Sequence, residues 1–139
     1  MGRAVTWYWE KQPIAVVNED PFLSGTYYTC LDTTEYVKIL SIATRQINDE
    51  TDGKSINLRT TLEGITGTNY AYVENNNTWY YWYRHQISEG NVHGLSIRMY
   101  GYYSPLPYRS AKIEVRSASA LGTNPELDCR IQYAIRKEV

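Results

Sequence analysis

The chain of 139 residues contains two cysteines, two methionines, two histidines and a single phenylalanine. Two cysteines cannot make a disulfide framework, and neither belongs to a CxxC pair. Cys30 and Cys129 each sit in an apolar strand pattern, where a small buried thiol is the ordinary reading and one bridge between them the alternative. Long hydrophobic runs are missing too. No stretch approaches the roughly 18 apolar residues of a spanning helix, and residues 1–7 carry no apolar segment of signal-peptide length. Charge of one sign is absent: 14 basic against 15 acidic residues give a net charge of -1. That balance offers no overall attraction to nucleic acid or to an anionic membrane. No glycine-rich loop opens a helix, so nothing here is built to cradle a phosphate.

Catalytic chemistry has few candidates. His85 and His93 are the only side chains that titrate unshifted near neutral pH. With Glu89 in the turn between them they have the types of a metal site, but two unrelated polar residues of a hairpin explain them more simply. Acidic residues gather only at Asn18-Glu19-Asp20 and Asn48-Asp49-Glu50-Thr51-Asp52. Both runs read as turns, whereas hydrolytic carboxylates must rise from a cleft floor. No nucleophile elbow or cysteine signature surrounds any serine or cysteine. The reading is therefore not an enzyme, with no catalytic residue, metal ligand or cofactor assigned.

What the chain does have is period two. Ile56, Leu58 and Leu62 alternate with Asn57 and Arg59, and Leu95, Ile97 and Met99 alternate with Ser96 and Arg98. Ala111-Lys112-Ile113-Glu114-Val115-Arg116 alternates without error, as does the segment from Leu127 to Arg136. Such alternation marks antiparallel strands with one dry and one wet face. Weaker strands are expected near 4–10, 13–17, 26–31, 36–45, 69–73 and 78–87. Segment 36–45 is ambiguous, because Val37, Ile39, Ser41 and Ala43 share one parity while Leu40 and Ile42 take the other. Its β-branched content favours a buried strand over a helix. Asp52-Gly53 signals a hairpin between 36–45 and 54–63, and Glu63-Gly64 and Ile65-Thr66-Gly67 signal further turns. These features predict an all-β antiparallel sandwich, jelly-roll-like, of 8–10 short strands. Residues 1–25 are expected as an N-terminal strand or arm, and 26–139 as a single sandwich domain. Trp82-Tyr83-Arg84 has the look of an immunoglobulin strand C, but Trp82 lies far downstream of Cys30, where that family places the tryptophan soon after its first cysteine.

The other abundance is aromatic: 14 tyrosines and four tryptophans. In Trp79-Tyr80-Tyr81-Trp82-Tyr83 a strand sends Trp79, Tyr81 and Tyr83 to one face and Tyr80 and Trp82 to the other. One domain core takes only one of those faces, so the second must meet another sheet, another subunit or a ligand. Trp7, Trp9, Trp79 and Tyr81 are the expected oligomer interface, since Tyr, Trp and Arg are enriched in such surfaces. Tyr80, Trp82 and Arg84, with Tyr100, Tyr102, Tyr103 and Tyr108 around the Pro105–Pro107 loop, form the alternative, a lectin-like platform on which sugar rings would lie. Single-stranded nucleic acid would need Arg84, Arg98 and Arg109 beside those rings, and it is not an expected partner.

Tyr36-Val37-Lys38-Ile39-Leu40-Ser41-Ile42, Ser55 to Gly64 and Thr78-Trp79-Tyr80-Tyr81 carry a resemblance, with Lys112 to Arg116, Gly122-Thr123-Asn124 and Leu127 to Tyr133. In this order, across about residues 26 to 135, they resemble small β-sandwich proteins encoded among the structural genes of tailed bacteriophages and prophages. The resemblance implies a non-enzymatic virion component in a decoration, tail or fibre role, made in the host cytoplasm and carried in the virion. It also implies partners: copies of itself, as a trimer, and other virion proteins. A surface glycan is the additional candidate, and no membrane is expected. Residues 1–25, with Trp7-Tyr8-Trp9, fall outside the resemblance and are expected to dock on a neighbouring subunit.

Overall fold

Ten strands build two antiparallel sheets in the computed structural model, which describes residues 5–47, 54–73, 79–84, 107–117 and 125–139. The strands are β1 (Trp7–Lys11), β2 (Ala15–Glu19), β3 (Tyr28–Thr33), β4 (Val37–Ile47), β5 (Lys54–Leu62), β6 (Ile65–Val73), β7 (Tyr80–Arg84), β8 (Pro107–Tyr108), β9 (Ala111–Ser117) and β10 (Glu126–Glu138). The all-β expectation holds, and among the described residues there is no helix. β4 and β10, with 11 and 13 residues, are longer than the short strands foreseen. The alternating segment 95–99 lies outside the described residues.

The first sheet centres on β10 and β4, paired from Glu126↔Ile47 to Ile135↔Val37. β1 and β2 share the far side of β10, β1 along its C-terminal part (Trp9↔Arg136) and β2 along its N-terminal part (Val17↔Cys129). β7 and β8 likewise share the far side of β4. The second sheet runs β3-β9-β5-β6. The N-terminal segment is thus stitched to β10 of its own chain as two strands. A correction concerns Asp52-Gly53, itself outside the described residues. β4 and β5 belong to different sheets and do not pair, so their link is a crossover between sheets.

The alternation identified in the sequence has a direct energetic cause. Ile56, Leu58, Ile113, Val115, Leu127, Cys129 and Ile131 point between the sheets and are fully buried. Each large apolar side chain so removed from water contributes about 1.5–3 kcal/mol. β4 changes parity part-way: Val37 and Ile39 face inward, then Ile42, Thr44 and Gln46 do. The register explains it, because Gln132 pairs with Ser41 while Tyr133 pairs with Ile39, leaving Leu40 as the extra residue of a bulge. Two superimposed parities produced the ambiguity of segment 36–45, which is a strand.

Glu63 and Gly64 form the two-residue turn between β5 and β6, with φ of 51° and 82°. Both angles are positive, as a type I′ hairpin requires. The turn is tied to the β8–β9 corner, where the Glu63 N–H donates to the Ser110 carbonyl at 3.1 Å and its carboxylate accepts from the Arg109 N–H at 3.0 Å. Ile65-Thr66-Gly67 is not a turn but the start of β6, paired with Leu62, Thr61 and Thr60.

Candidate functional site

β7 decides how the aromatic run is used. Trp82 is 1% exposed, and its indole N–H donates to the Thr44 hydroxyl at 2.8 Å. Tyr80 packs beside it edge to face, ring centres 5.0 Å apart, and burial raises the pKa of its phenol. Of these two residues, expected in a binding platform, Trp82 belongs to the buried core and Tyr80 is half-buried against it. The inner face of the first sheet needs large side chains opposite Ile56, Leu58 and Val115, and Trp82 is placed for it by a bulge: Ala43 pairs with Tyr81 and Ile42 with Tyr83. Tyr108, expected in the same platform, pairs with Val37 in β8 and packs against the core. Its pKa is raised first by burial and then by the Glu63 charge. Arg84 stands opposite Ser41 in register. Tyr100, Tyr102, Tyr103, His85 and His93 lie outside the described residues.

The residues expected at an interface share one surface, the outer face of the first sheet. The strands carry two clusters of aromatic rings and cations there. At the β1 end the Arg136 guanidinium stands between the rings of Trp7 and Tyr36, 4.2 and 3.8 Å from their centres. Lys38 sits 4.4 Å over Trp9. At the β7 end Trp79 is flanked by two guanidinium groups, Arg45 at 4.6 Å and Arg130 at 4.7 Å. Contacts of this kind are worth about 0.5–1 kcal/mol when exposed, more when water is excluded.

The two arginines around Trp79 are not equivalent. Arg45 donates twice to the Asp128 carboxylate, from Nε at 3.0 Å and from a terminal nitrogen at 2.7 Å. Asn18 donates to the other Asp128 oxygen. Arg130 is exposed on the central strand and meets no carboxylate among the described residues. Beside it opens a groove of about 160 Å³ lined by Ile14, Ser41, Ala43, Trp79, Tyr81, Arg130 and Gln132. Small side chains make its floor, because Ser41 and Ala43 point outward from the middle of β4. The rings of Trp79 and Tyr81 rise at one side, and Ile14 comes from the β1–β2 link. Trp79 and Tyr81 were identifiable from the aromatic run. The other five were not, since they come from three separate stretches of chain that only strand register makes neighbours.

The outer face of the second sheet looks similar but is closed. Arg59 and Arg116 cover the Tyr27 ring at 3.8 and 4.6 Å. Arg59 makes a two-pronged pair with Glu114 at 2.9 and 2.8 Å, and Arg116 donates to the Asn57 side-chain carbonyl at 2.8 Å. That lattice explains why Asn57 and Glu114, expected at a solvated face, are buried. The Arg59 hydrogen bond holds the Glu114 carboxyl below the usual carboxylate range, with burial opposing.

Cys30 and Cys129 are both free thiols. They face each other between the sheets, and Cys30 Sγ donates toward the Cys129 carbonyl at 3.4 Å. Among the described residues no three His, Cys, Asp or Glu side chains converge as metal ligands. No protein-family model matches this chain, and no curated protein sequence matches it.

Proposed function

We propose that the protein is a non-enzymatic assembly subunit that associates with copies of itself along the β1 edge of the first sheet. One observation carries this reading: β1 is an edge strand whose start presents Trp7 and Tyr8 at 48% and 44% exposure, with Val5 just before it at 51%. Natural sheets protect open edges with short strands, charges or proline. An edge opening with Trp-Tyr-Trp is suited to burial against another chain, where Trp and Tyr carry much of the binding energy. The phage-type resemblance supports the same reading: a jelly-roll-like virion component, trimeric and in contact with other virion proteins.

Light scattering on the purified chain tests it. The expected result is a discrete oligomer that Trp7→Ser shifts toward the 16.1 kDa monomer while circular dichroism stays unchanged. A wild-type chain that remains monomeric at tens of micromolar overturns the proposal. Removing residues 1–12 would not serve as the test, because it also strips β1 from β10.

The groove at Trp79 and Tyr81 favours a second reading, glycan binding. Sugar rings present C–H faces that stack on aromatic side chains, and hydroxyls that suit Ser41 and Gln132. The two readings are compatible. Arg130 and Arg136, which mark the two clusters, are about 20 Å apart at about 3.3 Å per strand residue, so association at β1 leaves the groove open.

A further inference from the structure

We propose that the Trp79–Tyr81 groove binds a carboxylated sugar, one ring per site, with the carboxylate paired to Arg130. This rests on the glycan reading and gives it a chemical class. The volume sets the size: about 160 Å³ is close to the roughly 150 Å³ cavity that holds one benzene molecule, and below the roughly 300–1,000 Å³ of pockets for drug-sized ligands. A single six-membered ring fits that space. The lining sets the orientation, with the ring face on Tyr81, since both arginines already stack on Trp79, and its edge toward Ser41 and Gln132.

Arg130 sets the charge. Stacking on Trp79 at 4.7 Å restrains its guanidinium, and its donors meet no acid among the described residues. A planar fork held in place is suited to a carboxylate, which it grips with two parallel hydrogen bonds. The other charges nearby do not compete. Asp128 is already neutralised by Arg45 and further satisfied by Asn18, which also bonds Glu126 farther along β10. A cation with no carboxylate partner among the described residues favours a singly charged group over a phosphate, which is ordinarily gathered by several donors at once.

The experiment is a titration of the full chain, followed by tryptophan fluorescence, with tetragalacturonate, maltotetraose and an oligothymidylate. Tetragalacturonate is expected to bind at least about tenfold more tightly than neutral maltotetraose, the advantage of one charge-assisted pair. Arg130→Gln is expected to abolish that preference and keep the weak neutral binding, and Tyr81→Ala to abolish both. Because Arg130 is exposed, its substitution leaves the core untouched, and near-ultraviolet dichroism checks this. Equal binding of acidic and neutral sugars overturns the carboxylate assignment while leaving the glycan reading standing. An acid preference that survives Arg130→Gln overturns it as well. Silence toward both sugars removes glycan binding altogether, and Arg130-dependent binding of oligothymidylate alone reassigns the groove to nucleic acid.

Discussion

The indole N–H of Trp82 and the hydroxyl of Thr44 form a 2.8 Å hydrogen bond between β7 and β4, with neither residue more than 1% exposed. Removing the acceptor strands a buried donor, which costs about 1–3 kcal/mol. Thr44→Val, nearly equal in volume, is therefore expected to lower stability by that amount in urea unfolding. Trp82→Ala deletes the largest fully buried side chain and is expected to cost about 3–5 kcal/mol. Against a total of about 5–15 kcal/mol, its outcome is partial unfolding rather than a tidy monomer. A Trp82→Ala protein as stable as wild type would contradict this account of the core.

Acid sensitivity is expected from Arg59 and Glu114. The folded-state pKa of Glu114 lies below its ordinary value because Arg59 bonds the ionised form. The sign follows: this contribution is present above the unfolded glutamate value near pH ~4.3 and is lost as pH falls through the folded value. The stability gap between wild type and Glu114→Gln should be wider at pH 7 than at pH 3.5. A gap that does not change with pH would mean the pair does not titrate as described.

The hairpin at Glu63-Gly64 gives a cleaner backbone test. Gly64 has φ of 82°, and a Cβ added there would meet nothing within 4 Å. Any cost of Gly64→Ala is thus conformational, about 1–2 kcal/mol for an L-residue in the left-handed region. Differential unfolding of the variant measures it, and a stabilised variant would refute the turn geometry.

Thiol labelling separates the two cysteines. Cys129 is fully buried, and its pKa is pushed well up, first by the hydrogen bond with Cys30 and then by burial. A disulfide reagent at pH 8 should modify half-buried Cys30 first and reach Cys129 only at the rate of unfolding. In Cys30→Ser, labelling of Cys129 faster than global unfolding would show that the sheets open locally.

Some of this architecture was legible in the sequence because it is written in period two. β9 and most of β10 follow unbroken alternation, and Glu63-Gly64 is a turn that local residue types specify. Other parts needed long-range information. The parity of β4 flips at Leu40, so neither periodicity describes the whole strand. Asp52-Gly53 has the chemistry of a hairpin, but residue types at a turn do not say which sheet the next strand will join. The run at 79–83 divides between two faces, with Tyr80 and Trp82 turned to the core. It could not say which faced inward, since both sets are aromatic and hydrophobicity does not choose between them. Arg130 and Gln132 were visible only as the wet side of a strand. They gain meaning from Ser41 and Ala43, short side chains lying across from them.

β10 has a consequence for the order in which the molecule can be made. Three of the other strands in its sheet, β1, β2 and β4, pair directly with it, yet all three leave the ribosome long before it does. Until β10 emerges, the edges that those strands turn toward it carry unpaired amides, although β7 and β8 can already pair with the other side of β4. Pairings between such distant segments are slow to form, on the millisecond-to-second scale of sheet-rich domains. The nascent chain is therefore exposed to unwanted association until β10 has emerged, and the same exposed Trp7 and Tyr8 proposed to join finished subunits are already available at that stage.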